Sequence, residues 1–201
     1  MKFPTLNGPL TIEGLIAEIH LKSQKRFSYL IAIDGRGGSG KSTLASFMHA
    51  ACPGSSIVHM DDFHLPSSQR IPLPPSEKKI GADYDWKRVF RQVLKPLSEG
   101  MEARYQQYDW DKDALTEWQV VPSVGLVIIE GMYSTRIEWA GIYDFTIWVE
   151  CPRDRRLERG LERDGEEARH MWEDNWMIQE NLYVEVQTPQ ERANLVVDGT
   201  C

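Results

Sequence analysis

The chain has 201 residues, 41 % of them apolar and 26 % charged, with a formal net charge of −7 at pH 7. That length suits one α/β domain spanning residues 1–201 with a sizeable core. The acidic balance argues against a nucleic-acid partner, whose binding rests on phosphate neutralisation, and no apolar run nears the ~20 residues that cross a bilayer, so no membrane partner is expected either. Cys52, Cys151 and Cys201 have no metal-ligand spacing and cannot form an even disulfide set, which points to a cytoplasmic setting. The opening MKFPTLNGPLTIEGL lacks the long apolar core of a secretion signal.

In chain order, Ile12, Leu15, Ile16 and Ile19 follow a helical period. YLIAID reads as a buried strand, STLASFMHAA as a helix stopped by Pro53-Gly54, and SSIVHM as a second strand. LPSSQRIPLPPSEKKIGADY carries four prolines and no period, so it is a long loop, and such loops in compact domains tend to be functional. DWKRVFRQVLKPLSEG resumes helical spacing, and ARYQQYDWDKDALTEWQVV reads as short strands and turns. VGLVII is a third buried strand ending at Glu130-Gly131, and YDFTIWVE a fourth, closed by Pro152. From Arg153 to about Tyr183 the pattern is helical and heavily charged, and ANLVVDG is a last short strand. Buried apolar strands alternating with helices predict a doubly wound parallel sheet covered on both faces.

Between the first strand and its helix stands GRGGSGKS, Gly35 to Ser42, which fits G-x-x-x-x-G-K-[ST]. Glycine lets the backbone turn successive N–H groups toward an anion, and the helix start adds the positive end of its dipole. Gly35, Arg36, Gly37, Gly38, Ser39, Gly40, Lys41, Ser42 and Thr43 are therefore the candidate nucleoside-triphosphate site. Lys41 supplies a mobile charge for the β- and γ-phosphates, and Ser42 a hydroxyl for Mg²⁺, a hard cation that prefers oxygen. ATP and Mg²⁺ are the expected cofactors; no adenine-reading motif separates ATP from GTP.

Ligands of open parallel sheets bind beyond the carboxyl ends of the strands. The second strand delivers Asp61 and Asp62 there, and the third delivers Glu130. Asp61 is the candidate general base for a substrate hydroxyl, and Glu130 the candidate Mg²⁺ partner through water. Asp62 projects to the other side if the chain is still extended, and Asp34 reads as structural. Arg155, Arg159 and Arg163, spaced by four, share a helix face. That face fits either a lid that brings positive charge over the γ-phosphate while excluding water or a solvated helix whose acids pair with its arginines.

The chain from YLIAIDGRGGSGKSTLA to ANLVVDG resembles the uridine kinase and phosphoribulokinase-like branch of the P-loop kinases, through VHMDDFH, YDWDKDALTEW, VIIEGMY and the arginine-rich run in that order. The resemblance implies a P-loop kinase fold with a helical lid within residues 153–183, and ATP-dependent phosphorylation of a hydroxyl, most often on a nucleoside. It assigns Asp61 to the accepting hydroxyl, Tyr108 to the acceptor pocket, Asp83 loosely to the sugar, and the lid arginines to Arg159 and Arg163. Two positions depart from the pattern. Asp113 stands where uridine kinases place a base-reading histidine, and Ala82 where an aromatic residue precedes the sugar-contacting aspartate. A sugar phosphate or a pantothenate-like alcohol therefore stands as an alternative acceptor, and a regulatory P-loop ATPase or a nucleotide-binding module without turnover as an alternative class. A homo-oligomer is compatible with the composition.

Overall fold

The computed structural model describes residues 3–23 and 28–200. The strands are β1 (Ser28–Asp34), β2 (Ser56–His59), β3 (Ala103–Asp109), β4 (Ala114–Val121), β5 (Gly125–Glu130), β6 (Phe145–Glu150) and β7 (Leu195–Asp198). Five of them form the expected central sheet in the order β2-β5-β1-β6-β7, every neighbouring pair parallel. The apolar runs of β1 and β5 are continuous because both faces are covered. Tyr29, Ile31, Ile33, Leu126 and Ile128 pack with helices α1 (Ile12–Ser23) and α2 (Lys41–Ala51). Leu30, Val127 and Ile129 pack on the other side with Phe63, Val93, Leu94 and Trp139. Each fully buried aliphatic side chain contributes about 1.5–3 kcal/mol through burial. Among the described residues no helix is long and apolar enough to cross a membrane. Cys52 and Cys151 are free thiols, and Cys201 lies outside the described residues.

The second layer is built around α3, residues 86–98, whose first turn is capped by the Asp85 side chain on Arg88 N at 3.0 Å. Its middle turn, Phe90–Leu94, widens to a π-turn just before Pro96, which has no N–H to continue an α ladder. The aromatic stretch expected as short strands is instead one hairpin with strands of seven and eight residues and a register shift between Gln106 and Tyr108. Ala103, Tyr105 and Val121 turn inward from it onto Phe63, and this burial holds strands longer than the polar sequence suggests.

The charged run after β6 is not one helix. Helix α4 (Arg153–Asp164) ends at Gly165, whose φ of +88° leaves the helical region. A short turn, Glu166–Ala168, leads into α5, residues 169–187, with a π-turn at Trp172–Trp176. The proline-rich stretch is the long loop expected, with single 3₁₀ turns at Ser67–Gln69 and Pro75–Glu77.

Candidate active site

The phosphate loop leaves β1 at its centre in the sheet and enters α2. The N-cap, Gly40, has φ +99° and no side-chain cap, so the first-turn N–H groups of α2 lack an intrahelical or side-chain partner. Gly38 has φ +72°, and a Cβ there would stand 2.5 Å from Arg156 O; glycine is required on both counts. Asp34, 0 % exposed, braces the loop from below. It accepts from Gly35 N at 2.7 Å, Thr135 N at 2.9 Å, Thr135 Oγ1 at 2.7 Å and Tyr183 Oη at 2.7 Å, in keeping with a structural role. Lys41 Nζ is not free; it donates to Arg36 O at 2.9 Å. Ser39 Oγ and Arg36 Nε are buried donors with no partner in the protein. Uncapped N–H groups, orphan donors and a lysine on one loop fit an anion such as a triphosphate. Thr43 is exposed in the same first turn.

Register sets the carboxylates. Glu130 pairs across the sheet with Ile33 on one side and His59 on the other, so the ends of β1, β2 and β5 lie level. Ser42 Oγ donates to both Glu130 oxygens at 3.2 and 3.3 Å, and His59 Nδ1 lies 2.5 Å from Glu130 Oε1. Burial raises the Glu130 carboxyl, but the His59 hydrogen bond, Lys41 and Ser42 outweigh it and hold the carboxyl below its usual range. The hydrogen bond to Glu130 in turn raises His59 against the opposing effect of burial. Among the described residues no group of three or more His, Cys, Asp or Glu could hold a metal by itself. Ser42 and Glu130 fit a Mg²⁺ that takes its remaining oxygens from water and phosphate.

Beyond β2 the chain does not stay extended. It turns into a 3₁₀ turn, Met60–Phe63, and this turn, not strand alternation, separates the two aspartates. Asp62 is buried at 7 % exposure under Tyr105, whose hydroxyl donates to it at 2.9 Å. Asp61 opens to the crevice and accepts from Tyr84 Oη at 3.2 Å. Crowding in the crevice, then the Glu130 charge, lift its carboxyl above the ordinary range, while Lys41, Tyr84 and Arg163 pull the other way.

Across the crevice from the phosphate loop, the backbone pairs His64 with Tyr84, and Asp85 N donates to Phe63 O at 2.8 Å, which brings the loop end back to Asp61. Asp83 is buried and bonded to Lys78 Nζ at 2.7 and 2.9 Å. Tyr108, 3 % exposed, donates to Asp113 Oδ1 at 2.6 Å and accepts from Arg70 Nη2 at 2.8 Å. Asp113 also takes Ser67 N at 2.8 Å and the Ser67 hydroxyl, so it clasps the proline-rich loop to the hairpin. Ser67 first, with Tyr108, lowers the Asp113 carboxyl to about 2. His64 lies 4.6 Å from the rings of both Tyr84 and Trp110, and burial lowers it to about 4.

The arginines of one helix face differ in what lies against them. Arg155 pairs with Glu158 at 2.6 Å on the exposed side, as a solvated helix would have it. Arg159 Nη1 donates to Gly199 O at 2.6 Å and lies 3.4 Å from Gly38 O, at the phosphate loop. Arg163 is bonded to Asp164 at 2.7 and 2.8 Å and stacks 5.7 Å over Trp172, within electrostatic reach of Asp61. Arg156, one more arginine of the charged run, is buried against the loop with Glu180, and the sequence pattern gives no site role to Glu180, His59, His64, Arg70 or Tyr84. His59 and His64 stood inside VHMDDFH and carried a signal in their position beside Asp61; Glu180 and Arg70 carried none.

A parallel sheet with this loop at its central strand and carboxylates on the neighbouring strand ends defines a P-loop nucleotide-binding protein of the kinase type. The chain belongs to the phosphoribulokinase / uridine kinase family, whose profile matches residues 30–198. It is 25 % identical over 154 residues to a protein named uridine kinase from Ureaplasma parvum, covering 72 % of each chain. It is 29 % identical over 144 residues to a uridine kinase from Clostridium novyi, covering 67 % of each. A structure described as a possible uridine kinase from Bacillus stearothermophilus shares the fold, with a TM-score of 0.67, 20 % identity and coverage of 90 % of this chain and 98 % of that one. The family phosphorylates small molecules.

Proposed function

We propose that the protein transfers the γ-phosphate of ATP to a hydroxyl of a small metabolite, with Asp61 as general base. The observation that supports this reading is the setting of Asp61: of Asp34, Asp61 and Asp62 at the strand ends it alone opens to the crevice, where it accepts from Tyr84 Oη at 3.2 Å and feels the charges of Glu130, Lys41 and Arg163. Burial and then the like charge of Glu130 raise the proton affinity of Asp61; burial also raises Asp34 and Asp62, but those two are enclosed by hydrogen bonds, whereas the Asp61 carboxylate can be reached by a substrate hydroxyl. The acceptor oxygen bonds to the γ-phosphorus as its proton passes to the Asp61 carboxylate, and the bond from phosphorus to the β–γ bridging oxygen breaks, leaving ADP. Lys41, once drawn off Arg36 O, and Arg163 offer charge to the transferring group. Ser42 and Glu130 would hold Mg²⁺, which neutralises charge on the phosphate oxygens when bound. The lid lies within residues 153–183 in this reading.

The relatives named uridine kinase support a nucleoside as acceptor. A second reading, a hydroxyl compound without a base, is favoured by Asp113, whose carboxylate at the base-reading position is engaged by Ser67 and Tyr108. A radiolabelled γ-phosphate transfer assay with uridine, phosphorylated sugars and simple polyols distinguishes them. Label appearing in inorganic phosphate alone, with every acceptor, would show an ATPase and overturn the kinase reading.

A further inference from the structure

Gly37, at the outer turn of the phosphate loop, is gripped at both ends. Its N–H donates to Glu180 Oε1 at 2.7 Å, and its carbonyl faces Arg156 Nη1 at 3.4 Å. The same guanidinium nitrogen donates to Glu180 Oε2 at 3.0 Å, and Arg156 Nε donates to Cys151 O at 3.1 Å. The two side chains are 5 % and 7 % exposed. A Cβ on Gly37 would stand 2.8 Å from Glu180 Oε1 and 2.9 Å from the Trp172 ring, so the fit has no slack. Arg156 comes from α4 and Glu180 from α5, on either side of the Gly165 turn. Two helices therefore converge on one residue of the loop.

Stability alone is a poor reason to bury such a pair. Desolvation offsets much of the attraction, and an apolar pair of similar size commonly holds a fold as well or better. What an apolar pair cannot do is bond the N–H and the carbonyl of Gly37. We propose that Glu180 and Arg156 are positioning residues of the phosphate site: they hold the Gly37 backbone, set the curvature of residues 35–42 before nucleotide arrives, and tie that curvature to the placement of α4 and α5. The inference rests on the nucleotide-site reading above, but its first readout does not need nucleotide.

The test uses the full chain carrying Arg156→Met with Glu180→Leu, and separately Glu180→Gln. The double variant removes both charges together and so avoids leaving one buried and unpaired. Amide hydrogen exchange of residues 35–42 is measured without nucleotide, and Mg·ATP is titrated by calorimetry. Expected for the double variant are a melting temperature close to the parent's, loop exchange at least ~10-fold faster, and ATP affinity lower by about 10- to 100-fold, the range of hydrogen bonds to charged groups. Glu180→Gln keeps an oxygen for the Gly37 N–H without the charge and falls between. Unchanged loop exchange in both variants overturns the proposal. So does tighter ATP binding in Glu180→Gln, which would make the carboxylate a competitor of phosphate. A parent chain that binds no ATP overturns the nucleotide reading, while loop exchange still decides the role of the pair.

Discussion

The two sides of the crevice are shaped by different means. On the nucleotide side, residues 35–42 depend on glycine conformations and on backbone groups, with Asp34, Arg156 and Glu180 bracing the loop from outside. On the acceptor side, residues 65–84 have no regular ladder and are held by side chains: Asp113 on Ser67, Arg70 on Tyr108 and on Leu65 O, Lys78 on Asp83. A backbone-shaped site tolerates little change, because one added Cβ collides with main chain. A side-chain-shaped site can be rebuilt by substitution while the fold persists. This contrast fits a family that keeps one phosphate chemistry and takes up different acceptors.

The largest expected effect breaks the meeting point of the two sides. Asp61→Asn keeps the shape but removes the proposed base, so kcat should fall about 10²- to 10⁴-fold with little change in ATP affinity. Asp62→Asn should act on stability instead, by about 1–2 kcal/mol, through its bond to Tyr105. If steady-state kinetics and urea melts show the reverse pattern, the base is Asp62.

Lys41→Ala should lower kcat by about 10²- to 10³-fold. Its ammonium is held by the single backbone oxygen of Arg36 among the described residues, so the melting temperature should move only slightly. Unchanged turnover would remove the phosphate site from residues 35–42.

The acceptor side should be the acid-sensitive one. His64 is buried and its folded value lies at about 4, below the ordinary 6.5. A lowered histidine contributes stability that is present above pH ~6.5 and is lost as pH falls toward 4, by about 3 kcal/mol in all. Asp113, lowered from 3.8 to about 2, keeps its contribution down to pH ~4 and loses it below. Urea midpoints from pH 7 to 4 should therefore fall in the parent chain and flatten in His64→Phe. Equal slopes in the two would assign the acid loss elsewhere.

Glu130→Gln should raise the Mg²⁺ requirement about tenfold, the lower end of what outer-sphere partners of a metal contribute. A magnesium titration of initial rate measures it, and no shift would leave Glu130 as the partner of His59 alone. The smallest change is expected at the lid. Amides within residues 153–183 should gain protection when ATP and acceptor are both present, and equal exchange with and without them would make those helices a static wall.

Much of this architecture was legible in the residues. Continuous apolar runs in YLIAID and VGLVII required strands buried on both faces, and GRGGSGKS between strand and helix required an anion cradle. The placement of Asp61 and Glu130 followed from parallel strands presenting their ends together. These features are local, and periodicity and glycine spacing encode them directly. The length of the β3–β4 hairpin was not legible, because its inward residues are decided by what lies beneath them, Phe63 and Val93 among others. The break at Gly165 was hidden by a helical charge pattern that runs through it. Tertiary structure alone decided which arginine meets the phosphate loop, since Arg155 and Arg159 lie one turn apart on a shared face and differ only in what packs against them. It alone paired Glu180 with Gly37, 143 residues apart, and put Asp113 on Ser67 across 46. Spacing along a chain records which residues share an element, but contacts between elements depend on how those elements pack, and there the sequence by itself is silent.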